Sequence, residues 1–128
     1  MMHRFRSAAP LAIVVLLLAA FAARAQDGHV IMMIDAPAKY RPDAVTIKVG
    51  QTIKWINQGE TVHTVTADPS QAPDPSWASI PKGAELFDSG YMNAGDSWSY
   101  TFKVPGVYRY FCLTHEEEGM KGEIDVEP

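Results

Sequence analysis

The 128-residue sequence contains a single cysteine, Cys112, so no disulfide can form within the chain. Basic residues are also scarce beyond residue 25. The first 25 residues hold three arginines and no acidic residue, which leaves residues 26–128 with 8 basic against 15 acidic residues and a formal charge of −7. This balance argues against nucleic-acid binding and favours a cationic partner. No phosphate-binding glycine loop is present, and no serine–histidine–acid set can be argued from the spacing.

Long apolar runs are confined to the amino terminus. Histidine and arginine at positions 3–6 precede an apolar run at 11–22, and Ala-Arg-Ala follows at 23–25. This order is typical of a secretory signal peptide cleaved after Ala25. An uncleaved membrane anchor is the less favoured alternative, because the run is shorter than the ~20 apolar residues that span a bilayer. The sequence predicts a signal peptide at 1–25, a periplasmic or otherwise secreted protein, and one domain at 26–128.

An all-β domain is predicted because no segment beyond residue 25 keeps a helical apolar period for ten residues. Short β-rich or alternating runs recur instead between turn residues. They predict eight strands, at 29–34, 44–49, 52–57, 62–66, 85–88, 97–104, 107–112 and 121–127. Many short strands in a chain of this size favour a Greek-key β-sandwich or a closed barrel. The segment 67–83, with four prolines, is predicted as a long surface loop with room for one helical turn.

Two of the predicted strands show which of their faces is buried. Aromatic residues at positions 98, 100 and 102 alternate with polar ones, as in a half-buried strand. In the strand at 107–112, Tyr108, Tyr110 and Cys112 share one face. The only cysteine is therefore expected at the end of a strand, on the same side as two tyrosines.

The stretch CLTHEEEGM combines three metal-ligating side chains: the thiolate of Cys112, the imidazole of His115 and the thioether of Met120. An unpaired cysteine in a secreted chain is a candidate intermolecular bridge, reactive thiol or metal ligand. His63, in the β-rich segment ETVHTVTAD, can add a second imidazole from a neighbouring strand. Two imidazoles, a thiolate and a weak thioether suit copper, whereas zinc rarely recruits a thioether. These residues predict a site for one copper ion that cycles between Cu(I) and Cu(II), with His63, Cys112, His115 and Met120 as ligands.

The chain resembles the small cupredoxins, type 1 blue copper proteins of the plastocyanin, pseudoazurin and halocyanin kind. The matching stretches are VTIKVGQTIKWIN (45–57), HTV (63–65), AGDSWSYTF (94–102) and GVYRYFCLTHEEEGMKGEIDV (106–126). The resemblance implies an eight-stranded Greek-key sandwich and one copper ion held by the residues matching His63, Cys112, His115 and Met120. It also implies a one-electron carrier, since four protein ligands leave no open position for a substrate of an enzyme. The implied partners of this monomer are redox proteins with a basic docking face, such as a cytochrome c, an oxidase or a reductase.

The chain departs from that family at two places in the ligand loop. Thr114 stands where family members often carry proline, and Glu116, Glu117 and Glu118 stand where many electron carriers have small or apolar residues. The simplest interpretation of the glutamates is a solvated acidic turn. A sharper hypothesis is that their charge lowers the reduction potential and steers a basic partner onto His115.

Two other functions use the same residues. One is a copper storage or delivery module with the same ligands, and the other is a metal-free interaction domain in which Cys112 is a free thiol. Around the thiolate, Thr64 and Asn57 are expected to hydrogen-bond near the sulfur and brace the loop. His115 is expected to be the electron port, because an imidazole on a loop can reach solvent.

Overall fold

A computed structural model describes residues 29–128 of the chain, which contain nine β-strands. The predicted signal peptide, residues 1–25, lies outside the described residues. Across 29–128 no helix has the length and apolar character needed to cross a bilayer. The strands are β1 (His29–Asp35), β2 (Ala38–Arg41), β3 (Ala44–Lys48), β4 (Thr52–Asn57), β5 (Thr66–Ala67), β6 (Phe87–Asp88), β7 (Ser97–Thr101), β8 (Gly106–Phe111) and β9 (Lys121–Glu127).

The strands form two sheets that pack face to face. One sheet has the order β2-β1-β4-β7 and the other the order β3-β9-β8-β5-β6. The pairs β1–β4 and β3–β9 are parallel, and the remaining pairs are antiparallel. The two strands of each parallel pair are far apart in the sequence, as parallel pairing requires a long connection. The chain passes from one sheet to the other several times between them. The prediction of an all-β Greek-key sandwich is confirmed, and the closed barrel is not formed.

The predicted strands at 85–88 and 97–104 are shorter in the structure, and two larger differences occur at β2 and before β5. The short strand β2 was not predicted, although it pairs with β1 and alternates buried Ala38 and Tyr40 with exposed residues. Of the strand predicted at 62–66, only Thr66 belongs to a strand of the structure, where it pairs with Asp88 and Phe111. The carbonyls of Thr61 and Val62 instead accept hydrogen bonds from the side chains of Asn57 and Thr114, so the backbone leaves the sheet before β5.

The predicted buried face of β8 is confirmed. Tyr108, Tyr110 and Cys112 are buried, while Val107 and Arg109 are exposed on the other side. Tyr110 lies in the aromatic core between Tyr40 and Trp55, with ring centroids 4.6 and 5.5 Å away. This packing makes β8 a stiff support for the residue that follows it, Cys112.

The proline-rich loop at 67–83 covers the outer side of β8. It contains two 3₁₀ turns, Pro69–Gln71 and Pro75–Trp77, rather than the one helical turn anticipated. Trp77 packs edge-on against Phe111, with centroids 6.3 Å apart, and Lys121 lies over the Trp77 ring. The loop therefore buries Phe111, the residue that precedes Cys112.

Tyr110 offers a test of the core. Its hydroxyl accepts a hydrogen bond from the buried Trp55 Nε1–H at 3.2 Å. Because Tyr110→Phe leaves that N–H without a partner, we expect the free energy of unfolding to fall by about 1–3 kcal/mol. Urea unfolding of the metal-free protein measures it. Tyr91→Phe is the matched control, since Tyr91 is 73% exposed and should change stability by less than about 0.5 kcal/mol. Equal effects of the two substitutions would contradict this role for Tyr110.

Candidate metal centre

The residues of the predicted site come from two parts of the chain. His63 lies between β4 and β5, where its backbone exchanges two hydrogen bonds with Met92, at 3.1 and 2.9 Å. Cys112 directly follows β8, and His115 ends a 3₁₀ turn, Leu113–His115. Both imidazoles are therefore held beside the thiol by backbone structure.

The loop at 112–120 closes on itself through its backbone. The Cys112 N–H donates to the Met120 carbonyl at 3.0 Å, and the Met120 N–H donates to the His115 carbonyl at 3.3 Å. Gly119 turns the chain back with a φ of 69°, a conformation that favours glycine. Met120 is thereby buried next to Cys112 in the core.

The donor atoms of His63, Cys112 and His115 all lie within 4.8 Å of one another. The Cys112 sulfur is 3.7 Å from His63 Nδ1 and 3.5 Å from His115 Nδ1. Cys112 and His63 are fully buried, whereas His115 is half-buried. Two imidazole nitrogens and one thiol sulfur, with Met120 buried in the same core cluster as Cys112, form a donor set that fits copper.

The sulfur lies among polar groups of the surrounding loops. The Thr64 N–H donates to it at 3.3 Å, and the Thr114 hydroxyl lies 3.2 Å away. Burial raises the pKa of the Cys112 thiol, but the polar contacts with His63, Thr114, His115 and the Thr64 backbone N–H outweigh burial and lower that pKa to about 6. The site thus favours the thiolate, the form that binds metals.

The two predicted supporting residues have different contacts. Thr64 touches the sulfur through its N–H, and its hydroxyl accepts the Leu113 N–H at 2.9 Å. Asn57 does not hydrogen-bond to the sulfur; its side-chain amide donates to the Thr61 and Met92 carbonyls, at 2.8 and 3.0 Å. Asn57 therefore supports the chain on either side of His63.

One residue of the site was missed by sequence reasoning. Asp35, the last residue of β1, places its carboxylate oxygen 2.7 Å from His63 Nε2. Hydrogen bonds from the Thr61 hydroxyl, the Glu60 backbone and His63 hold the pKa of Asp35 well below its usual range. Asp35 and His63 are 28 positions apart in the sequence, so no local motif reveals the pair.

The remaining histidine of the described chain lies away from the site. His29 begins β1 and pairs with Ile53, whereas Asp35 ends the same strand beside the metal-ligand candidates. His29 is therefore not part of the group formed by His63, Cys112 and His115. The acidic turn adjoins the site: Glu116 is half-buried, and Glu117 and Glu118 are exposed.

Comparison with known proteins agrees with this geometry. Residues 29–127 match the family described as copper binding proteins, plastocyanin/azurin family. A plastocyanin from Scenedesmus fuscus is 37% identical over 89 residues, which cover 69% of this chain and 86% of that protein. A solved structure of amicyanin from Paracoccus versutus is 29% identical, with a TM-score of 0.59 and coverage of 79% and 82%. A purple cupredoxin from Nitrosopumilus maritimus is 26% identical, with a TM-score of 0.61 and coverage of 77% and 99%.

The fold and the histidine–cysteine–histidine group define a small cupredoxin, as the sequence resemblance predicted. The chain belongs to the plastocyanin/azurin family of copper binding proteins. It binds one copper ion and is a blue copper electron carrier that exchanges electrons with redox partners, not an enzyme.

Gly119 tests how firmly the loop is closed. A Cβ at this position would meet nothing within 4 Å, so only the positive φ opposes a side chain. We expect Gly119→Ala to lower the free energy of unfolding by about 1–2 kcal/mol, because L-residues disfavour this conformation. Gly119→Asn should lower it less, since asparagine tolerates left-handed backbone. Thermal and urea unfolding of the metal-free protein measure both effects. A lower free energy of unfolding for Gly119→Asn than for Gly119→Ala would refute the explanation.

Proposed function

We propose that His63, Cys112, His115 and Met120 are the four copper ligands and that electrons enter and leave through His115. The convergence of two imidazole nitrogens on a fully buried thiol sulfur is the observation that carries this proposal. Met120 is included because it is buried and its carbonyl accepts the Cys112 N–H. A copper ion in this site would supply a one-electron couple.

Stiff support of these residues suits electron transfer. Cys112 follows a strand whose inner face is buried and whose last residue, Phe111, packs against Trp77, and the His63 backbone exchanges two hydrogen bonds with Met92. Ligands held by such contacts move little when the charge of a bound ion changes, so less reorganisation opposes each transfer.

His115 is proposed as the port because of its exposure. Of the four proposed ligands, His63, Cys112 and Met120 are buried and His115 alone is half-buried. A partner that docks over His115 would bring its redox centre nearest to the site. Glu117 and Glu118, exposed in the same loop, would attract a partner with a basic docking face.

Export of the protein is part of the proposal. Residues 1–25 have the order of a signal peptide, and their removal would leave residues 26–128 as a monomeric cupredoxin domain with a formal charge of −7. The proposed partners are an electron donor and an electron acceptor that each carry a basic docking face, such as a cytochrome c, an oxidase or a reductase.

The ligand set is tested by copper titration. Addition of Cu(II) to the chain starting at residue 26 should produce an intense blue charge-transfer band with a stoichiometry of one ion per chain. Cys112→Ser should abolish the band, because it removes the thiolate. His63→Asn and His115→Asn should each abolish or shift it, and Met120→Leu should retain it while changing the reduction potential. Visible absorption and electrochemistry measure these effects.

His29→Asn is the matched control for the two histidine variants, since His29 lies at the other end of β1. It should leave the band unchanged. A blue band that survives Cys112→Ser, or that is lost in His29→Asn, would overturn the assignment.

The acidic turn is tested by electron transfer to a basic cytochrome c. Glu117→Gln combined with Glu118→Gln should raise the reduction potential and flatten the dependence of the transfer rate on ionic strength, because two negative charges leave the docking side. Stopped-flow kinetics at several salt concentrations, with electrochemistry, measure the two effects.

Asp125→Asn combined with Glu127→Gln removes the same charge from the far part of β9. At ~3.3 Å per residue, Glu127 lies about 20 Å along the strand from Lys121. This control should leave the salt dependence near that of the native chain. If the two double variants behave alike, steering by the acidic turn is wrong.

A further inference from the structure

We propose that Asp35 is a positioning residue, which holds the His63 ring so that Nδ1 faces the site; this inference rests on the proposed role of His63 as a ligand. Asp35 Oδ1 lies 2.7 Å from His63 Nε2, on the opposite side of the ring from Nδ1. His63 Nδ1 in turn lies 3.7 Å from the Cys112 sulfur. The carboxylate, imidazole and sulfur therefore form one line of contacts.

The proton positions follow from the chemistry of the two groups. An ionised carboxylate only accepts hydrogen bonds, so the proton of a neutral His63 belongs on Nε2. That tautomer leaves the Nδ1 lone pair free for a metal ion. Because His63 is fully buried, water does not compete for either nitrogen.

The carboxylate is itself held in place by three other donors. Asp35 Oδ2 accepts the N–H groups of Glu60 and Thr61 at 2.6 and 3.2 Å, and Oδ1 accepts the Thr61 hydroxyl at 2.7 Å. Both oxygens are thus oriented by the segment just before His63. A carboxylate fixed in this way restricts rotation of the imidazole that it bonds.

Gly59 provides an independent sign that the chain makes room for this carboxylate. A Cβ at position 59 would lie 2.0 Å from Asp35 Oδ1, closer than atoms can approach. The φ of Gly59 is not in the left-handed region, so the backbone alone does not require glycine there. The absence of a side chain at this position is explained by the place that Asp35 occupies.

The contact should also affect the relative affinity for the two copper oxidation states. A carboxylate that accepts a hydrogen bond from Nε2–H makes the imidazole a stronger electron-pair donor to a metal ion. The negative charge of the carboxylate also favours Cu(II) over Cu(I). Loss of the contact should therefore weaken Cu(II) binding more than Cu(I) binding. The reduction potential should rise as a result.

Three variants separate the hydrogen bond from the charge. Asp35→Asn removes both the charge and the hydrogen bond. The amide oxygen would keep accepting the Glu60 and Thr61 N–H groups, so the amide NH₂, which cannot accept a hydrogen bond, would face His63. Gly59→Ala keeps the charge but displaces the carboxylate. Glu60→Gln removes a neighbouring exposed charge whose side chain does not hydrogen-bond to His63.

The first readout needs no copper activity. Long-range ¹H–¹⁵N spectra of the metal-free protein report which ring nitrogen of His63 is protonated, without a metal ion that would itself fix the tautomer. The native chain and Glu60→Gln should show a protected Nε2–H, and Asp35→Asn and Gly59→Ala should lose it. An Nε2–H that is equally protected in Asp35→Asn would overturn the inference, even if Gly59→Ala fails to fold.

The second readout is copper affinity and potential. We expect Asp35→Asn to weaken Cu(II) binding by about 10–100-fold, and Glu60→Gln by less than about fivefold. A tenfold loss of Cu(II) affinity at unchanged Cu(I) affinity corresponds to a rise of about 59 mV. A shift in Asp35→Asn no larger than that in Glu60→Gln would overturn the inference, while a native chain without a blue band would instead refute the proposed ligand set.

Discussion

The complete burial of the Cys112 sulfur and the His63 ring is the constraint on which the rest of the site depends. A polar group removed from water destabilises the fold unless it finds a partner inside the protein. The sulfur accordingly meets the Thr64 N–H, and His63 Nε2 meets Asp35. Within residues 29–128, every buried side-chain nitrogen and oxygen has a hydrogen-bond partner. These hydrogen bonds also fix the orientation of the His63 ring and the position of the sulfur. The contacts that stabilise the buried groups therefore also arrange the ligand atoms for a metal ion.

The parallel pairing of β1 with β4 explains why the supports of His63 meet at one edge of the sandwich. Parallel strands end at the same edge, and Met33 pairs with Asn57, the last residue of β4. Asp35 extends two residues beyond that pair and meets the turn that leads from Asn57 to His63. A long-range pairing thus brings together two supporting side chains that are far apart in the sequence.

The sequence predicted what depends on local pattern and on side-chain chemistry. The alternation in β8 placed Cys112 at the end of a buried face, and the spacing to His115 and Met120 placed all three in one loop. Asp35 could not be found in this way, because its contact with His63 depends on the register of strands distant in sequence. The strand predicted at 62–66 was too long because the Thr114 hydroxyl bonds to the Val62 carbonyl and the Thr64 N–H bonds to the Cys112 sulfur, backbone groups that a ladder would otherwise use. Side-chain contacts from other segments override a β-rich pattern, and one sequence does not reveal them.

Thr114, the departure from the proline often found in the family, links the two parts of the site. Proline stiffens a loop locally by fixing one backbone angle. The Thr114 hydroxyl instead donates to the Val62 carbonyl at 2.6 Å, one residue before His63. Its oxygen also lies 3.0 Å from His115 Nδ1 and 3.2 Å from the Cys112 sulfur. This threonine thus ties the loop that carries Cys112 and His115 to the segment that carries His63, a connection between segments that a proline ring has no donor to make.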